Sequence, residues 1–164
     1  MARLPPQNER ACHSFFWGPN FLPLPPIPLG YIGGLGEVYE LYQSGGKWVY
    51  DELTEISGAH HAQKGAITSW VSSTDSVQHV AYIGGDAHVY EIYKPVGQQP
   101  WHYDDLTQIS RAPPCSRWQG DVAITSWVSS TDNLQDVAYI GDDGHVYEKE
   151  SSERPHRTEK RIQI

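Results

Sequence analysis

Between residues 31 and 148 apolar and polar side chains alternate with a period of two, and nowhere do they hold a helical spacing over a useful length. In the run from His88 to Tyr93, Val89, Glu91 and Tyr93 fall on one face and His88, Tyr90 and Ile92 on the other. Between Ile124 and Ser129, Thr125, Trp127 and Ser129 oppose Ile124, Ser126 and Val128. Alternation of this kind marks strands with two distinct faces. It predicts strands at His88–Tyr93, Trp101–Thr107, Ile124–Ser129 and Asp136–Ile140, with glycine- and aspartate-rich turns at Ser44–Gly46, Gly84–Asp86 and Gly141–Gly144.

The strands belong to a repeat. Gln78–Glu91 has a twin in Gln135–Glu148, and a worn copy stands at Tyr31–Glu40, so that Tyr31, Tyr82 and Tyr139 correspond at steps of 51 and 57 residues. Trp48 corresponds to Trp101, Asp51 to Asp104 and Leu53-Thr54 to Leu106-Thr107, and Ala66–Asp75 recurs unchanged as Ala123–Asp132. The extra residues of the second copy fall between Tyr93 and Trp101 and within Ser110–Gln119, in loops, where a strand scaffold tolerates insertion. Four short strands per period of this length form a blade of a β-propeller, because one four-stranded sheet buries too little unless neighbours stack on its faces. The expected fold is all-β: two four-stranded propeller blades, about residues 31–82 and 83–139, with partial flanking strands including one at 145–148. Propellers close with about four to eight blades, so two blades imply either a propeller fragment or closure by assembly, three chains making a six-bladed ring.

Composition agrees with this picture. Six Trp, ten Tyr and three Phe suit pleated surfaces, and fifteen Gly with twelve Pro suit many turns. Residues 1–30 fall outside the repeat; the alternation of proline with apolar residues over Phe21–Leu29 predicts an extended, irregular leader. Residues 149–164 are mixed in charge and poor in apolar groups, which predicts a disordered tail. The repeat region carries sixteen acidic against five basic residues, a balance that repels phosphate backbones and argues against nucleic-acid partners. Cys12 and Cys115 make no disulfide framework. The first residues lack a signal-peptide core and no run reaches membrane-spanning length, so the expected location is cytoplasmic or reached by non-classical secretion, without membrane insertion.

No phosphate loop, Gly-x-Ser-x-Gly elbow, His-Glu-x-x-His or Cys-x-x-Cys occurs, so the chain is expected to be no enzyme and to need no cofactor. His88 and His145 repeat in register without an evident partner ligand, which gives no metal site. What does repeat is an aromatic and polar set: Tyr82, His88, Tyr90, Glu91, Trp101, Asp104 and Trp127 in one copy. Aromatic rings stack on the C–H face of a sugar while polar groups fix its hydroxyls, although most Trp and Tyr of small blades fill the space between sheets.

The order of aromatic strand, Gly/Asp turn, His-Val-Tyr-Glu, then Trp and Asp-(Asp/Glu)-Leu-Thr resembles the repeat of fucose-binding propeller lectins of the fungal Aleuria type and their bacterial relatives, over about Tyr31 to Glu148. In that family an Arg, a Glu and a Trp grip the sugar between blades. The resemblance places the Glu at Glu40, Glu91 and Glu148 and the Trp at Trp48 and Trp101. The Arg position falls at His79 in one copy and Asp136 in the other, neither of which keeps a guanidinium. The resemblance therefore implies a lectin for a neutral sugar, fucose by analogy, with His79, Glu91, Trp101, Glu40, Trp48 and Glu148 at blade–blade clefts and glycans as partners. A non-catalytic interaction propeller, contacting a protein through loops such as Arg111–Gln119, is the alternative.

Overall fold

In the computed structural model, the described residues are 29–72, 76–96, 98–115, 123–129, 134–151 and 159–162. They form three antiparallel sheets. The first holds β1 (Leu29–Ile32), β2 (Val38–Ser44) and β3 (Lys47–Glu52) in that order. The second runs β4 (Ala62–Val71), β5 (Val77–Gly84), β6 (Val89–Pro95) and β7 (His102–Asp105). The third runs β8 (Ile124–Val128), β9 (Gln135–Ile140), β10 (Val146–Ser151) and β11 (Glu159–Ile162). Two four-stranded sheets and one partial sheet make the all-β, propeller-like fold that the repeat predicts.

The grouping of strands differs from the expected blades. The expected unit joins β6, β7, β8 and β9, whereas the structure divides these strands between two sheets. The reason lies in the connections. Gly84 to His88 is a tight hairpin that leaves β5 and β6 paired from Val77↔Pro95 to Ile83↔Val89, so both must share a sheet. The change of sheet instead follows the Leu-Thr motifs. There the expected strand Trp101–Thr107 stops at Asp105, and α2 (Leu106–Ser110) begins, as α1 (Leu53–Ser57) begins after β3. Each helix is one turn held by its own hydroxyls. Ser57 Oγ donates to the Leu53 carbonyl and Ser110 Oγ to the Leu106 carbonyl, both at 2.6 Å. Thr54 Oγ1 accepts from the Val38 amide at 3.3 Å and Thr107 Oγ1 from the Val89 amide at 2.9 Å, tying each helix to its own sheet. Leu53 and Leu106 are thereby driven into the core.

The hairpin turns are built alike. Asp86 accepts from the His88 amide at 3.1 Å and from Tyr90 Oη at 2.8 Å; Asp143 accepts from the His145 amide at 3.0 Å and Tyr147 Oη at 2.7 Å. The tyrosine rings fold back over the turn, and a Cβ on Gly84 or Gly141 would stand 2.5 Å from a ring carbon of Tyr90 or Tyr147. Glycine is required there by close approach.

The cores lie between sheets. Val38, Leu53, Val80, Tyr82, Tyr90, Ile92 and Trp101 fill the junction of the first and second sheets. Ala81, Ile83, Val89, Leu106, Val137, Tyr139 and Tyr147, with Cys115, fill that of the second and third. Successive residues of β5 thus point to opposite neighbours: Val80 and Tyr82 toward the first sheet, Ala81 and Ile83 toward the third. Each sheet then has a leading face, turned to the sheet that follows it in the chain, and a trailing face turned to the one before.

The charged tail expected from residue 149 is corrected at two places. Lys149 lies within β10 and is buried, its Nζ donating to the Leu106 carbonyl at 3.3 Å, and Glu159–Ile162 pairs with β10 from Val146↔Ile162 to Lys149↔Glu159. Strand pairing needs no apolar composition, which is why the residue types concealed it. The part of the Arg111–Gln119 insertion that is described packs on the fold. The Cys115 amide donates to the Ala87 carbonyl at 2.7 Å, and Tyr139 Oη donates to the Pro113 carbonyl at 2.9 Å. Residues 1–28, the bulk of the expected leader, lie outside the described residues.

Candidate site at the sheet junctions

Two polar clusters interrupt the apolar junctions, and each is centred on a glutamate. Glu40 stands on β2 and Glu91 on β6, at the same position of the repeat, on the leading faces. Both are buried.

At the first junction Gln78 Nε2, from the second sheet, donates to Glu40 Oε1. Lys94 Nζ, also from the second sheet, lies 3.5 Å from Glu40 Oε2 and 4.1 Å from the centre of the Trp101 ring. One ammonium therefore serves a carboxylate across the junction and an aromatic face beside it. Trp101 is buried, and among the described residues its Nε1–H has no hydrogen-bond partner.

At the second junction His79 and Glu91 sit on adjacent strands, with Nδ1 2.9 Å from Glu91 Oε1, and both side chains are buried. A carboxylate only accepts, so Nδ1 carries the hydrogen that bonds Glu91, and Nε2 is the ring's second hydrogen-bonding atom. That Nε2 is buried without a hydrogen-bond partner among the described residues. The His79 ring lies flat on Trp70, 4.9 Å between centroids and 2° between planes, and 6.2 Å from Tyr93. Trp70 Nε1 donates across the junction to Gln135 Oε1 at 3.0 Å. Gln135 is the counterpart of Gln78, so each junction places a glutamine of one sheet within the glutamate cluster of another.

The structure thus links Glu40 to Trp101 through Lys94, across two sheets, and brings His79 to Glu91 within one sheet. It does not bring Glu40 to Trp48. Trp48 stands opposite Gln43, on the trailing face of the first sheet, while Glu40 stands opposite Asp51 on the leading face. Glu148 is half-buried and opposite Ala138, on the leading face of the third sheet. Asp104 and Asp105 are not a working pair: Asp105 accepts from the Gln108 amide at 2.8 Å and contacts His88 Nδ1 at 2.7 Å, while Asp104 is opposite Glu91. Lys94, Gln78, Gln135 and Trp70 were not foreseen as site residues. The two glutamines recur in register at a step of 57 residues, a signal that was open to reading.

No protein-family model matches the chain, and no curated protein matches it. Among solved structures, the chain is similar to a fucose lectin from Kordia zhangzhouensis, solved in complex with methyl-fucoside, with a TM-score of 0.54. The match covers 84% of this chain and 89% of that one at 17% sequence identity, a likeness of fold.

Proposed function

We propose that this protein is a carbohydrate-binding lectin that holds a neutral sugar non-covalently at its sheet junctions. The observation that carries the reading is a pair of buried ring nitrogens without a hydrogen-bond partner among the described residues, His79 Nε2 and Trp101 Nε1, one in each glutamate cluster. A buried polar atom without a partner costs about 1–3 kcal/mol, and such a group is one whose missing bond a ligand hydroxyl or an ordered water can supply. A sugar hydroxyl both donates and accepts. It bonds His79 Nε2 in either role and accepts from Trp101 Nε1–H, and the glutamates accept from neighbouring hydroxyls. At the first junction Lys94 covers the Trp101 ring, so stacking of a sugar requires the lysine to swing aside, at the loss of about 1 kcal/mol of cation–π attraction.

Fucose is the first sugar to test. The residue pattern resembles that of the fucose-binding propeller lectins, and the structurally similar Kordia protein is a fucose lectin. The absence of arginine at His79 and Asp136 argues against carrying fucose specificity over unchanged and leaves a neutral sugar as the ligand class. The test is retention on fucose-agarose and on a panel of neutral sugar matrices, with elution by the free sugar. His79→Ala and Glu91→Gln should each weaken binding about tenfold or more, equal to ~1.4 kcal/mol. A folded sample retained on no sugar matrix refutes the proposal.

A further inference from the structure

Both internal junctions bury the same positions. Val80 and Tyr82 on the trailing face of the second sheet are 2% and 0% exposed, and their counterparts Val137 and Tyr139 on the third are 3% and 1% exposed. The first sheet carries the same set on its trailing face. Tyr31 and Tyr39 stack at 5.1 Å, as Tyr82 and Tyr90 do at 5.8 Å and Tyr139 and Tyr147 at 5.6 Å. Yet here the surface is open: Leu29 is 50% exposed, Tyr31 38% and Tyr50 65%, and Trp48 is 59% exposed where its counterpart Trp101 is 3%.

The leading face of the third sheet is open in turn. Trp127 and Glu148 lie on it at the positions that Trp70 and Glu91 hold inside the second junction. Beside them a shallow groove of about 150 Å³ is lined by residues 123–125, 138–140 and Val146. Among the described residues the chain therefore presents two unmatched halves of the junction that it makes twice internally.

We infer that the trailing face of the first sheet seats on the leading face of the third sheet in a second copy of this chain, and that two copies close a ring of six sheets. The occupant follows from the repeat. Each covered trailing face in this chain is covered by a leading face, and the third sheet supplies the open leading face among the described residues. A head-to-tail contact either closes or grows without end. Three sheets per chain close at six with two copies, within the range of propellers, whereas three copies would give nine. The expected trimer, which counted two blades per chain, gives way to a dimer. Closure also completes a third polar cluster. Glu40 and Trp101 face one cluster across the first junction, joined by Lys94, so the same docking carries Trp48 of one copy to the side of Glu148 of the other. The inference rests on the repeat geometry and holds whether or not the ligand is a sugar.

Light scattering on the purified chain should give twice its 18.5 kDa. Two variants probe the two faces, Tyr31→Lys with Tyr50→Lys on the trailing face and Ile140→Lys on the leading face, with unchanged far-UV circular dichroism as the check on folding. Each should return the mass of one chain, because every contact in the ring uses both faces. A parent mass of one, three or more chains overturns the inference. So does a dimer that only one of the two variants disrupts, which is the behaviour of a symmetric face-to-face contact.

Discussion

Replacing Lys94 by Met removes one charge from the first junction and keeps the volume of the side chain. The methylenes continue to cover Trp101, but Glu40 loses the ammonium 3.5 Å from its Oε2 and keeps only the Gln78 amide on Oε1. Removing one partner of a buried ion pair costs about 3–5 kcal/mol, since the remaining charge stays desolvated. The Lys94 side chain is 12% exposed and that of Glu40 3%, so water reaches the lysine end and the figure falls to roughly 2–3 kcal/mol. For a chain of this length the loss lowers Tm by about 2–4 °C per kcal/mol, or roughly 4–12 °C. Converting Glu40 to Gln in the same background removes the stranded charge, so the double variant should regain much of the stability, with a coupling of about 1.5–2 kcal/mol between the sites. Urea unfolding followed by tryptophan fluorescence, at one fixed protein concentration, measures all four corners of the cycle. A Lys94→Met loss below about 0.5 kcal/mol, or strictly additive single variants, would show that the carboxylate is not held by the lysine and would refute the reasoning.

Two further outcomes follow from buried and turn groups. Burial pushes the Cys115 thiol up to about 12, with Lys149 nearby opposing the shift, so at pH 8 almost no thiolate forms. In a Cys12→Ser background the native protein should resist a thiol-specific disulfide reagent and react fully in denaturant; prompt native labelling would contradict the burial of that loop. Asp143 is held below the usual carboxylate range chiefly by the Tyr147 hydroxyl and the His145 amide; at Asp86 burial pushes upward, but bonds from Tyr90 and the His88 amide outweigh it. A depressed folded value gives stability that is present above the unfolded value near ~4 and lost as pH falls through the folded one. An Asp86→Asn/Asp143→Asn variant should therefore show a flatter stability profile below about pH 4, and an unchanged slope there would sink the assignment.

Strand positions were legible because each depends on a local period. Val89–Pro95, Ile124–Val128 and Gln135–Ile140 stand within two residues of the expected ranges. Their assignment to sheets was not given by the period, since a tandem repeat reads the same from any starting point and every window of one step looks like a unit. Connection length breaks the tie. The hairpin around Gly85 is too short to leave its sheet, whereas the stretches after Asp51 and Asp104 have room for a helical turn and a crossing. Five residues of Leu-Thr-x-Ile-Ser are too few to show a helical period, and only the buried Leu with the Thr and Ser hydroxyl bonds makes α1 and α2 visible.

The site residues show the same limit in chemical form. Glu40, Glu91 and Glu148 share one position of the repeat, and Trp48 and Trp101 another, and such correspondence needs only the repeat. What the repeat conceals is which member of one series meets which member of the other. Across a junction a glutamate on a leading face meets the next sheet's trailing face, so Glu40 pairs with Lys94, which lies over Trp101, and turns its back on Trp48, though Trp48 is much nearer in sequence. The first junction has lysine and tryptophan around its glutamate, and the second has histidine and a different tryptophan, Trp70. Under the proposed function, junctions with unequal donors would hold unequal ligands or one ligand with unequal strength. Loss of His79 should then weaken one class of binding and leave another, and Glu40→Gln should do the reverse, which titration resolves as each variant sparing a different class of site; loss of all binding in either variant would mean that the two clusters act as one site.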